Sequence, residues 1–351
     1  MDSVIEYYME SAKKGDANAQ YFLGRLYFFG KQVPKDYRES YKWFEKAALR
    51  GHTESQYYLG LMFYRGYAVN KDYKEACKWF IKAAEQGDVD AQELLGEIYG
   101  KENSVIYDIQ ETYKWFKKAA INGSLNAQYN LGQMYLKGAG VDRNYREVYK
   151  WLKKAAKRDD ADAQFELGLM YRIGDGIKQD YLKAYKWFKK SAYQKNSDAQ
   201  FNLGVLYNKG WGVNQNFLKA YKWYMKAANQ NHSYAQYNIG VFFLKGYGVK
   251  QSDKVACAWF KKSAELGNID GQCSIGVMYM RGEGVKQDYK EARKWLEKAA
   301  EENYAEAQFN LGLLYMKGYG VKQDYQEACN WFKMAAAQGH EKAQNELNMM
   351  H

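Results

Sequence analysis

A small residue followed by glutamine recurs at Gln20, Gln56, Gln92, Gln128, Gln164, Gln200, Gln236, Gln272, Gln308 and Gln344, always 36 residues apart with no insertion or deletion. Self-similarity at a fixed period of this length specifies an array in which each unit packs only on its neighbours. The uninterrupted register therefore predicts one repeat domain over 1–351 rather than several globular ones. It also restricts the fold class before any single residue is considered.

The clearest copy is residues 199–228, AQFNLGVLYNKGWGVNQNFLKAYKWYMKAA. Ala199, Leu203, Leu206 and Tyr207 fall at i, i+4, i+7 and i+8, and Ala220, Trp223, Tyr224, Ala227 and Ala228 form a second stripe of helical period. Each unit thus reads as a helical hairpin, and the chain as an all-α solenoid of helix-turn-helix repeats. Asp36, Asp72, Asp108, Asp288 and Asp324 each precede a glutamate by three residues, an Asp-x-x-Glu capping box that places the start of the second helix. Gly-x-Gly loops at 138/140, 174/176, 210/212, 246/248, 282/284 and 318/320 end the first helix. They lack the strand-loop-helix setting and the Lys-Ser/Thr or acidic partner that a phosphate cradle needs.

Nine more glycines, from Gly24 to Gly312, lie inside the first helix, where each costs about 1 kcal/mol relative to alanine. Packing must offset that cost, which predicts the close approach of another helix or of a bulky ring such as the tryptophan of the second helix. Trp43, Trp79, Trp115, Trp151, Trp187, Trp223, Trp259, Trp295 and Trp331 share one register, so they read as core rather than as a stacking platform for bases.

The combined pattern AxAQYxLGxxYxxGxGVxxDYxEAxKWFxKAA resembles the Sel-1-like repeat family, a tetratricopeptide-like group with 36 residues per unit. The resemblance covers nearly the whole chain: a lone second helix at 1–15, nine units over 16–339, and a capping helix over 340–351. It implies twenty helices in one right-handed superhelix, and an adaptor or scaffold role of the kind found in bacterial signalling and host contact and in eukaryotic protein degradation. Some secreted members carry disulfides within the repeat and are associated with penicillin binding. The paired cysteines of that group are missing here.

Chemistry finds few candidates. His52, His232 and His340 share one loop register in separate repeats, and Cys77, Cys257 and Cys329 share another, so neither set converges on a metal or a nucleophile. Carboxylate pairs such as Asp159/Asp160 sit at helix starts, where the helix dipole favours negative charge. The expectation is a protein with no catalysis, no cofactor and no metal. Few cysteines, no basic-apolar leader at the start and no apolar run approaching 18 residues lead to the expectation of a cytoplasmic protein, with secretion as an effector left open.

The remaining information is surface. Counted from the helix glycine, positions −6, −2 and +5 form the narrow exposed arc. They place Asn130, Asn202, Asn238 and Asn310 at −2 and Lys137, Lys209, Lys245, Arg281 and Lys317 at +5, with Glu166 and Arg172 in the repeat between. By resemblance the first helices line a concave groove, so these residues are the expected partner-binding ladder: amides for a peptide backbone, cations for carboxylates. Residues 124–267 carry 24 Lys/Arg against 11 Asp/Glu, a balance of +13, whereas the rest of the chain balances at −2. A basic centre steers acidic protein segments inward. Three readings follow: a scaffold for a protein or peptide partner; a regulatory or toxin-neutralising binding protein; and a nucleic-acid-binding helical repeat, against which the core phase of the aromatics argues. A β-lactam-binding hydrolase is the weakest. Self-association through the terminal half-repeats is left open, and residues 88–123, whose loop lacks the Gly-x-Gly pattern, read as a hinge, a contact site or drift in an under-constrained repeat.

Overall fold

The computed structural model describes residues 2–102, 104 and 106–350. Among these residues the chain forms twenty α-helices and no strand. Asp2–Lys13 comes first, then nine hairpins running from Ala17–Phe29 with Tyr37–Leu49 to Ala305–Lys317 with Tyr325–Ala337, and last Glu341–Met350. The all-helical repeat architecture follows the sequence reading. By packing, the chain divides into two compact units, one reaching Leu167 and including Asp175–Ile177, the other comprising Gly168–Gly174 and the residues from Lys178 onward. Within each unit consecutive helices pack in pairs along the chain.

The recurring glutamine proves to be a clamp between repeats. In the first unit Gln20, Gln56, Gln92, Gln128 and Gln164 each donate a side-chain N–H to the carbonyl of the alanine eight residues back, at the end of the preceding second helix, over 2.9 to 3.2 Å. In the second, Gln200, Gln236, Gln272 and Gln308 do the same over 3.1 to 3.5 Å. Where the residue thirty positions on is an amide, it closes the other half of the clamp: Gln86, Asn122, Gln230 and Gln338 donate to the side-chain oxygens of Gln56, Gln92, Gln200 and Gln308. A buried amide is tolerated only when hydrogen-bonded, so the clamp fixes the spacing of successive hairpins.

The helix glycines answer a close contact, but not with tryptophan. A Cβ on Gly204 would lie 2.5 Å from Tyr224, and on Gly60 2.8 Å from Phe80. In every unit the residue against this glycine follows the tryptophan, as in Phe44, Phe116, Leu152, Phe188, Phe260, Leu296 and Phe332. The tryptophan instead turns toward the neighbouring repeat, as Trp115 does in the core formed by Phe80, Leu95 and Ile98. In eight units the lysine three residues on covers its ring, at 4.1 to 5.1 Å from the centroid.

The capping boxes form by half. Asp36, Asp72, Asp108, Asp288 and Asp324 cap the second helices through their carboxylates. Their own N–H groups, however, donate to carbonyls of the first helix, such as Phe63 and Tyr279, rather than receiving the glutamate. The glutamates are used elsewhere: Glu75 and Glu291 pair with Lys78 and Lys294, and Glu111 accepts from the Trp115 indole at 2.8 Å.

The loops carry their own register. Gly210, in the left-handed region at φ 72°, ends its helix, and Gly212 (φ 67°) lies so close to the Tyr181 carbonyl that a Cβ there would come within 2.6 Å of the oxygen. Seven residues after the helix glycine, Tyr67, Trp211, Tyr247 and Tyr319 stack face to face on the first residue of the preceding second helix, Tyr37, Tyr181, Phe217 and Tyr289. Centroid separations are 4.5, 5.1, 4.8 and 4.6 Å, with interplanar angles of 22° or less.

Candidate functional site

The exposed face of the first helices is built by the same register that builds the core. Lys137 in the first unit, and Lys209, Lys245, Arg281 and Lys317 in the second, are all exposed at the last position of their helices. The helix macrodipole favours a cation there. Among the described residues only Arg281 of these five has a carboxylate within ion-pair reach, Glu283 at 3.7 Å.

The amide rungs differ from expectation. Asn202 and Asn310 are buried, at 7% and 3% exposure, and Asn130 and Asn238 are half-buried. Asn202, Asn238 and Asn310 each donate to the carbonyl four residues back in their own helix, Asp198, Tyr234 and Glu306. One amide N–H is therefore spent locally, and adjoining repeats cover a position that a single-helix wheel exposes. Arg172 stands one residue before the cation register and is half-buried, leaving the exposed Ile173 in that place. Glu166 is half-buried beside Tyr129, whose hydroxyl is pushed up to about 12 by burial and then by the Glu166 charge.

Position −6 carries a feature that the sequence reading left unused. It holds Glu54, Asp90, Asp162, Asp198, Asp270 and Glu306, an acidic row where the first helices begin. The fixed register was signal enough to find it. Eleven positions separate this row from the cations, about 16 Å along a helix. The face thus has an acidic margin and a basic margin.

Part of the acidic margin is tied to the next repeat. His232 caps its helix by accepting the Ala235 N–H on Nδ1 and sets Nε2 3.2 Å from Asp198, its ring stacked on Phe201 at 4.6 Å. His340 repeats this with Glu306 and Phe309, and His52 with Asn18 and Tyr21. Tyr304 donates to Asp270 at 2.9 Å. The three histidines are therefore inter-repeat latches. Of the basic margin, Lys137, Lys209, Lys245 and Lys317 have no carboxylate within ion-pair reach among the described residues.

Among the described residues no three His, Cys, Asp or Glu side chains gather in a way that could hold a metal, and no helix is long and apolar enough to cross a membrane. Burial pushes the Cys77 thiol up to about 11 and Cys273 to about 12, away from the reactive thiolate.

The Sel1 repeat model matches nine consecutive segments: 17–52, 53–88, 89–124, 125–160, 161–196, 197–232, 233–268, 269–304 and 305–340. Among solved structures, c5321, a protective antigen present in uropathogenic Escherichia coli strains and displaying an SLR fold, is 33% identical. The match covers 99% of this chain and 82% of that one, with a TM-score of 0.74. A Sel1 repeat protein from Oxalobacter formigenes is also 33% identical, over 90% of this chain and 91% of its own, with a TM-score of 0.72. Among curated proteins none matches.

Proposed function

The chain belongs to the Sel1 repeat family, and on that premise we propose that it is a scaffold or adaptor that holds an acidic protein segment on its first-helix face. Proteins of this family generally mediate protein-protein interaction and are typically non-catalytic. The carrying observation is the basic margin of the second unit: Lys209, Lys245 and Lys317 are exposed at one register, none with a carboxylate partner among the described residues, and Lys137 holds the same register in the first unit. Exposed cations without partners complement the carboxylates of an acidic segment. Of the expected ladder, Lys137, Lys209, Lys245, Arg281 and Lys317 are retained as contacts. Asn202, Asn238 and Asn310 contribute at most an oxygen and one remaining N–H each, and Asn130, half-buried, its amide. Self-association through the last helix is not part of the proposal. Asn348 stands there at the register of the helix glycine, and its side chain would occupy the space that the ring of a following helix takes in the nine repeats.

The test is affinity capture from a native lysate with the intact chain and with Lys209→Glu/Lys245→Glu. Lys222→Glu/Lys261→Glu, which reverses exposed charges on second helices, serves as the matched control. Loss of the same partners from the first variant only supports the basic margin. Equal loss, or equal retention, removes it from the argument.

A further inference from the structure

Within the second unit the first-helix face opens into a cleft of about 390 Å³ between the eighth and ninth repeats. Its apolar lining is Met280, Leu313, Tyr289 and Tyr319. The two tyrosines are the stacked pair of this loop, 4.6 Å between centroids, and Tyr319 keeps 44% of its surface exposed. Met280, Tyr289 and Leu313 are half-buried: each packs on the core beneath with one side and lines the cleft with the other.

The charged residues of the lining are both cations, Arg281 and Lys317, the last residues of their first helices. Glu283 reaches Arg281 at 3.7 Å, but both side chains are exposed, and a surface pair at that separation contributes little. Lys317 has no carboxylate within ion-pair reach among the described residues. Gln287 is neutral and donates to the Met280 carbonyl at 2.9 Å, while Asp288 beyond it caps its helix through the N–H groups of Lys290 and Glu291. The other three such places of this unit lack the combination. Arg172 and Asn208 stand at the register of Met280 in the fifth and sixth repeats, and past the seventh Asp253 and Glu283 replace the ring pair.

We propose that this cleft anchors one aromatic side chain of the acidic protein segment, which rests on reading the first-helix face as the surface that holds that segment. The thioether of Met280 and the edges of the tyrosine pair favour a ring over an aliphatic guest, because sulfur-ring and ring-ring contacts add to the burial of area. The Arg281 guanidinium, planar and weakly hydrated, suits the face of such a ring. Carboxylates on either side of the ring meet Arg281 and Lys317. The lysines of the other rungs attract acid without fixing its position; the cleft gives the segment its register.

The probe is the blocked pentapeptide Glu-Glu-Phe-Glu-Glu with 4-fluorophenylalanine at its centre, titrated with the full chain at about 0.15 M salt and followed by its fluorine resonance. The peptide with glutamine for every glutamate and Glu-Glu-Ala-Glu-Glu as competitor are the controls. Met280→Asn and Tyr319→Glu each install a residue that the array already carries at that register, Asn208 and Glu283. Met280→Asn should weaken binding several-fold and Tyr319→Glu about tenfold, since it removes a ring wall and adds a like charge. Lys317→Gln should weaken the glutamate peptide several-fold and leave the glutamine peptide unchanged, and Lys222→Glu/Lys261→Glu should bind as the native chain does. No saturable shift by ~5 mM, native affinity in both Met280→Asn and Tyr319→Glu, or equal displacement by the alanine peptide would each overturn the proposal. The capture test reverses Lys209 and Lys245 and leaves this cleft intact. A failed titration therefore strikes the cleft alone, and a failed capture strikes the margin at Lys209 and Lys245 while the fluorine result stands.

Discussion

Tyr224 packs so closely on Gly204 that a methyl group on the glycine would come within 2.5 Å of ring carbons Cδ1 and Cε1. A helix-interior glycine is ordinarily a site where alanine stabilises, by about 1 kcal/mol. Here the ring is fully buried and has nowhere to retreat. Gly204→Ala should therefore destabilise the protein by roughly 1–3 kcal/mol, the usual cost of overpacking, as a lower urea midpoint. In a Tyr224→Ala background the same substitution should recover most of that loss. A purely additive double-mutant cycle would show that the contact is not the reason for the glycine.

The glutamine clamps differ in completeness, and stability should follow. Gln200 donates to Ala192 at 3.1 Å and accepts from Gln230 at 2.9 Å. Gln272 donates to Ala264 over a long 3.5 Å, and its buried oxygen has no partner. Each lost hydrogen bond costs about 1 kcal/mol, and more where a buried group is left unpaired. Gln200→Leu should lower stability by roughly 2 kcal/mol and Gln272→Leu by clearly less, read from chemical denaturation of the two variants side by side. Equal losses would mean that the volume of the side chain matters and its bonds do not.

The histidine latches predict acid sensitivity. Burial holds the His232 imidazole below its ordinary value, although Asp198 pulls the other way; His52 is lowered likewise, by burial against Glu54 and Asp16. Protonation also removes the Nδ1 lone pair that caps the helix. A base whose folded pKa is depressed leaves the unfolded chain binding more protons, so stability rises with pH. It is complete above about 6.5 and falls as pH drops below that value toward the folded pKa. The melting temperature should therefore decline between pH 7 and 5, and His232→Asn, which keeps an N-cap acceptor, should flatten the decline. An unchanged slope in that variant would acquit the imidazole.

Sequence made the hairpins, the caps and the loop glycines legible because a strict period repeats each signal until its register is unmistakable. It misassigned what depends on the next repeat. Trp223 and Tyr224 are adjacent, both aromatic and about 100° apart on one helix, and the pattern alone does not say which faces Gly204 and which the neighbouring hairpin. Asn202 sits in the polar arc of its own helix yet is buried, because a wheel omits the walls that neighbouring repeats supply. The same omission made the glutamate of each capping box look like a backbone partner, when Lys78 and the Trp115 indole lie closer to hand. For the candidate face, the cations could be read from their register. The acidic margin was hidden by its place in the first turn of each helix, where the dipole favours an acid, and by its second role in the latches.

The four thiols offer a check on the packing that needs no partner. Cys77, Cys257 and Cys273 are buried, and Cys329 is half-exposed on the second helix of the ninth repeat. At pH 8 a thiol held near 11, as Cys77 is, is ionised to about one part in a thousand, and one near 12, as Cys273 is, to about one in ten thousand. Accessibility and ionisation act together on both of these residues, and the thiolate is the species that attacks. A chromogenic disulfide reagent added to the native protein should therefore label one thiol quickly, at Cys329, and the other three only as fast as the repeats open. All four should react at once in denaturant. Because each repeat contacts only its neighbours, the slow phases need not coincide: Gly204→Ala should speed labelling of Cys257, one repeat on, more than that of Cys77, four repeats back. Equal acceleration at both would mean that the array opens as a single cooperative body rather than repeat by repeat.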